Sequence, residues 1–168
     1  MAPISRRFSM QPTKDFTPEG LRYAEKQGEI FSASLSLTCS SAIFIRRYLN
    51  SNYARVMDGS SPTLPLESDN CFADLEKEYG PFAYGQVKMS GPILYWVGYL
   101  YRYFCFTYEI SSAQAYKFIK PAELERVYYP YHSLDPALAL EKMLEQRGLF
   151  GREDLNEKGL ALLKKQRK

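Results

Sequence analysis

A chain of 168 residues and 19.4 kDa, 45% hydrophobic, 24% charged and 15% aromatic, is long enough to bury roughly 70% of its extended surface in one domain of ordinary size. Ten Gly, ten Pro and three Cys exclude a collagen-like or disulfide-stapled chain, and the supply of Tyr, Phe, Leu and Ile excludes wholesale disorder. The net charge of +3 sits in residues 151–168, which hold six bases and three acids and leave 16 of each in residues 1–150, so the body offers no charge excess of the kind that drives nucleic-acid binding.

Residues 1–16 mix Arg6 and Arg7 with Pro and Ser and lack the apolar run of a secretory signal, which predicts a flexible N-terminal arm. Thr17-Pro18-Glu19 is a helix start, with Thr as cap and Pro in the first turn; Leu21, Ala24, Gly28 and Phe31 follow on one side, to about Leu35. Ala42, Ile45, Leu49, Tyr53 and Val56 recur every three or four residues and predict a second helix that Asp58-Gly59 ends. Ser60, Ser61, Pro62 and Pro65 mark a loop over 59–67. Ser68 or Asp69 caps a short helix through Glu78, stopped by Gly80-Pro81, and Ala83 to Lys88 reads as a short extended piece. Ser90-Gly91-Pro92 opens a long aromatic helix that Ser111-Ser112 closes, and Ala113 to Ile119 forms the next. A helix from Ala122 to about Tyr128 is limited by Pro130. Asp135-Pro136 opens a helix with Leu138, Leu140, Met143 and Leu144 inside, closed by Gly148, and Asp154 to Lys168 predicts a basic helical tail. The sum is an all-α fold: a compact bundle of about seven helices in a single domain over 17–150, around a central helix drawn from the stretch Tyr79 to Tyr131, which holds 16 of the 25 aromatic residues.

Ile93 to Ile110 is apolar enough to be tested as a membrane span, but Arg102 lies in its middle, where a charge costs about 3 kcal/mol, and five tyrosines bring hydroxyls. A buried helix is the better reading, and no membrane partner is expected. On such a helix Leu94, Val97, Tyr101, Phe104 and Tyr108 form one stripe, and Tyr95, Tyr99, Arg102, Phe106 and Glu109 a second. The guanidinium of Arg102 then lies against rings and seeks acceptors such as Glu109 or backbone carbonyls. It serves either as an internal arginine holding helices in register or as the contact for an anionic ligand or a partner's carboxylate.

Cys39, Cys71 and Cys105 are odd in number and widely spaced, which predicts reduced, buried thiols in a cytoplasmic chain and no metal site. His132 is the sole histidine; it either fixes the loop before a helix or handles a proton. Arg46, Arg47 and Arg55 lie off the apolar stripe of their helix, as a solvated rim or a contact surface for an acidic partner. Nucleophile elbows, phosphate loops, dinucleotide fingerprints and zinc-helix motifs are all missing, so no catalytic residue and no cofactor is assigned.

Three blocks carry a family resemblance: Phe44-Ile45-Arg46-Arg47-Tyr48-Leu49-Asn50-Ser51, Tyr95-Trp96-Val97-Gly98-Tyr99-Leu100-Tyr101-Arg102-Tyr103 and Tyr131-His132-Ser133-Leu134-Asp135-Pro136. Over residues 21–147 the chain resembles a family of small bacterial proteins encoded beside small ADP-ribosyltransferase-like toxins. The resemblance implies an antitoxin-like or accessory role, in which the chain binds and neutralises a cognate protein, and it implies no catalytic residues. Arg46, Arg47, Asn50, Tyr99, Arg102, Tyr131, His132 and Asp135 are the candidate partner contacts. The alternatives are a small enzyme or toxin component using Arg102 and His132, and nucleic-acid binding through residues 152–168.

Overall fold

Hydroxyl and carboxylate caps set the helix starts. In the computed structural model, which describes residues 9–59 and 67–149, Thr17, Ser40, Ser51, Ser90, Ser111 and Asp135 each accept a hydrogen bond from a free N–H of the turn that follows. The helices so started are α1 (Pro18–Ala33), α2 (Ser41–Leu49), α3 (Asn52–Met57), α5 (Gly91–Tyr108), α6 (Ser112–Phe118) and α8 (Pro136–Gln146), while α4 (Ser68–Tyr79) and α7 (Pro121–Tyr131) begin without a side-chain cap. A 3-10 turn, Ser34–Ser36, follows α1. The described residues thus form an all-α protein of eight α-helices with no strand. The expected 59–67 loop lies, but for Gly59 and Glu67, outside the described residues, as does the tail helix over 154–168.

The helix α5 is the centre. Its first stripe, Leu94, Val97, Tyr101, Phe104 and Tyr108, is buried throughout, as the spacing predicts. Close packing against α1 needs glycine at the crossing. A Cβ on Gly98 would lie 2.7 Å from the Gln27 carbonyl oxygen and from the Phe31 ring, so only hydrogen leaves room for the two backbones to meet. Phe31 in turn meets Phe44 and Tyr48 of α2 edge-on, at 5.3 and 4.9 Å between ring centroids, so one aromatic core links α5, α1 and α2.

Three elements differ from the sequence expectation. The helix expected to run from Ala42 to Asp58 is two, because Ser51 leaves helical geometry (ψ 162°) and accepts the Ala54 N–H, starting α3 afresh. Of the expected stripe Ile45, Leu49 and Tyr53 are buried, Ala42 and Val56 face solvent, and Phe44, Tyr48, Ala54 and Met57 are buried beside them. Pro130 does not stop α7 at Tyr128. It lies in the last turn, where its missing N–H orphans only the carbonyl of the exposed Arg126, and the helix ends one residue later. Leu138, expected inside, is exposed.

The segment 80–90 forms no regular element, but it is bonded to the start of α2 where the Ser40 and Ser41 N–H groups donate to the Tyr84 and Val87 carbonyls. Of the flexible arm expected over 1–16, residues 9–16 are tied down: the Met10 N–H donates to Leu149 O, those of Thr13 and Lys14 donate to Thr107 O, and Phe16 packs on Tyr103 at 4.5 Å.

Candidate functional site

Arg102 projects from the middle of α5 into the bundle and is 2% exposed. Burying a guanidinium demands acceptors for its donors, and four neighbouring helices or their ends contribute to the network that supplies them. Its Nε donates to Gln27 Oε1 of α1 at 2.9 Å, Nη1 to Asp58 Oδ1 at 2.7 Å, and Nη2 to Ser112 Oγ of α6 at 2.9 Å. Asp58 caps the end of α3 and meets the start of α6: its Oδ1 accepts from Ser112 Oγ at 2.7 Å and its Oδ2 from the Ser112 N–H at 2.9 Å. A carboxylate at a helix N-terminus is further favoured by the dipole. Gln27 completes the set. Its Oε1 also accepts from the Tyr48 hydroxyl of α2 at 2.9 Å, and its Nε2 donates to Gly98 O at 2.8 Å. Among the described residues no buried side-chain nitrogen or oxygen is left without a partner.

Burial works against the Arg102 charge, yet Cys105, Tyr48 and the ion-paired Asp58 hold its pKa above the ordinary value. Burial pushes the Tyr48 phenol well up and the Cys105 thiol up to about 12. Arg102 is therefore the internal tie between helices, and its acceptors are Asp58, Gln27 and Ser112. Glu109, the acceptor expected from the spacing, instead takes a hydrogen bond from Thr13 Oγ1 at 2.8 Å, because its backbone (φ 52°, ψ 47°) is left-handed where α5 ends. Beside the ion pair lies a cleft of about 290 Å³ whose walls include Lys14, Glu19, Asp58 and Glu109. All three of these acids are already engaged, Asp58 by Arg102 and Ser112, Glu19 by the Tyr23 hydroxyl and Glu109 by Thr13.

The other candidate contacts fall into separate places. Arg47 donates to the Gly80 and Pro81 carbonyls, at 3.3 and 3.2 Å, and lies over the Phe82 ring, so it clasps the chain leaving α4. Arg46 is exposed, and its carbonyl accepts from Asn50 Nδ2 at 2.8 Å, which closes α2. His132 ends α7. Its Nδ1–H donates to Tyr128 O at 2.8 Å, and its ring stacks on Tyr128 at 4.5 Å and 16°. Tyr128 also meets Trp96 of α5 edge-on at 5.7 Å and Tyr129 at 5.3 Å, and Tyr129 is 76% exposed. The Tyr131 hydroxyl accepts from Gln146 Nε2 at 3.1 Å, and Asp135 caps α8 by accepting from the Ala137 N–H at 2.8 Å. Tyr99 is half-buried; burial raises its phenol, and the charges of Glu25 and Asp135 add to the effect.

The structure thus gathers Tyr99, Asp135 and the His132 stack around one side of α5, and joins none of them to Arg102 by a hydrogen bond, ion pair or ring contact among the described residues. Sequence reasoning missed Gln27, Tyr48, Asp58 and Ser112 as partners of Arg102. The available signal was Gln27 itself, an amide on the face that Ala24, Gly28 and Phe31 make apolar.

Cys39, Cys71 and Cys105 are free and buried. No group of three or more His, Cys, Asp and Glu side chains among the described residues could hold a metal, and no helix among them is long and apolar enough to cross a membrane. Comparison with family models, curated proteins and solved structures returned no match.

Proposed function

We propose that the protein is an antitoxin-like interaction module, a cytoplasmic all-α body that binds a cognate protein and covers that protein's working surface. The observation that carries the reading is the cluster of rings at the surface of α5 and α7: Trp96, Tyr129 and His132 all meet Tyr128, with Tyr129 three-quarters exposed. Such rings bring large contact area at little cost in side-chain entropy, and they dominate the energetic centres of protein interfaces. Arg102 and the cysteines, by contrast, are engaged or buried inside the molecule. Three nitrogens of Arg102 donate to internal acceptors, and the three thiols are buried with raised pKa values. That the partner is an ADP-ribosyltransferase-like toxin rests on the sequence resemblance alone, and the cytoplasmic setting rests on the three unpaired cysteines.

The test is co-expression of the chain with the product of the neighbouring gene. Joint purification at stoichiometric ratio, and growth arrest by the neighbour when this chain is deleted, are the expected results. Separate elution together with unaffected growth overturns the reading.

A further inference from the structure

The ring surface continues onto α1, and there it changes character. Tyr95 of α5 lies directly on Gly28 of α1: a Cβ at Gly28 would be 3.0 Å from two carbons of the Tyr95 ring. Glu25 and Glu29 stand one helical turn apart on either side of that glycine, both exposed. Tyr95 stacks on Tyr99 at 6.4 Å and 26°, is 37% exposed, and Phe16 closes the far end edge-on to Tyr99 at 6.2 Å.

We propose that this strip of Tyr95 and Tyr99, edged by Glu25, Glu29 and Asp135, receives an arginine- or lysine-bearing segment of a protein partner, with the cations laid on the tyrosine rings. The proposal rests on the interaction-module reading and adds the chemistry of what docks. Charge complementarity is the argument. Three carboxylates edge the strip, and among the described residues the base ion-paired with them is Lys26, which meets Glu29 at 3.2 Å in an exposed pair of small energetic weight. The charges felt by the Tyr95 and Tyr99 phenols agree, since after burial the charged residues raising them are Glu25, Glu29 and Asp135. Residues 1–150 carry 16 bases and 16 acids, so this strip is a local acidic excess on a neutral body. An aromatic face that carries the negative end of the ring quadrupole, bordered by carboxylates, is a general receptor for guanidinium and ammonium groups.

The test is fluorescence anisotropy of the full chain with a fluorescein-labelled nonaarginine peptide, and with nonaglutamate as control. The expected result is salt-sensitive binding of nonaarginine alone, weakened about three- to fivefold by Tyr95→Leu and retained by Tyr95→Phe. The pair Glu25→Gln, at an exposed position, and Asp135→Asn, whose amide oxygen can keep the α8 cap, should weaken it further and flatten the salt dependence. Equal affinity across all these variants overturns the proposal. So does concentration-dependent self-association that the same substitutions abolish, because the strip then belongs to a second copy. If a co-purifying partner is captured undiminished by the Glu25→Gln/Asp135→Asn variant, the strip fails and the interaction module stands. Ring-dependent nonaarginine binding without any co-purifying neighbour keeps the strip and sinks the toxin assignment.

Discussion

Arg102 and Asp58 lie 44 positions apart in sequence and meet at 2.7 Å, with the guanidinium of the central helix donating to the carboxylate that ends α3. The same carboxylate receives both the hydroxyl and the backbone N–H of Ser112, so one ion pair also fixes where α6 begins.

Removing the cation should therefore be severe. Arg102→Met leaves Asp58 and Gln27 Oε1 short of donors in a buried setting, and a loss of about 3–5 kcal/mol is expected from urea denaturation. Arg102→Lys should recover part of this at most, since a single ammonium cannot span three acceptors placed for a planar fork. A loss within 1 kcal/mol for the methionine variant would contradict the network.

The helix crossing gives a second prediction. Gly98→Ala improves helix propensity by about 1 kcal/mol, yet its methyl must displace the Gln27 carbonyl and the Phe31 ring. The net expected outcome is a destabilisation of about 1–3 kcal/mol with a lowered melting temperature, whereas a gain in stability would mean that α1 and α5 are farther apart.

The raised acid groups set the behaviour in alkali. Cys105 ionises near 9 when unfolded and only near 12 when folded, and burial raises Cys71, Tyr48 and Tyr101 as well. Below about pH 9 the unfolded thiol keeps its proton and the contribution is fully present. Above it the unfolded state releases protons that the folded state retains, so stability falls, by about 1.4 kcal/mol per pH unit for each such group. Urea midpoints should be level from pH 7 to 8.5 and drop steeply above pH 9, the thiol share of the drop disappearing in a cysteine-to-alanine variant that still folds.

The same burial predicts thiol chemistry. With folded protein at pH 8, Ellman's reagent should titrate none of the three cysteines within minutes, and all three after unfolding in guanidinium.

At the surface the expectation inverts. Tyr129→Ala removes a ring that is already in water and should change stability by less than about 0.5 kcal/mol, while co-purification with the neighbouring protein drops at least tenfold. Loss of stability with binding intact would place the ring in the fold and not in the interface.

Local chemistry made much of this architecture legible in advance. The caps at Thr17, Ser90 and Asp135 and the inner stripe of α5 follow from short-range rules, because the residues that decide them are neighbours in sequence. The break at Ser51 was hidden because apolar spacing runs on across it. A period reports which residues want burial, not whether the backbone between them turns. The partners of Arg102 were hidden for a different reason: Gln27 and Asp58 are brought to it by the packing of α1 and α3, 75 and 44 positions away, and nothing near Arg102 marks them. Glu109 was the near choice, and the left-handed end of α5 turns it elsewhere.

The spacing of that network along the chain bears on synthesis. Gln27, Tyr48 and Asp58 leave the ribosome well before Arg102 and Ser112, so a nascent chain that has not yet reached Arg102 holds its polar groups without the cation that satisfies them. Its first three helices must wait, partly formed, until α5 and the start of α6 have been made, and the polypeptide closes as a unit late in translation.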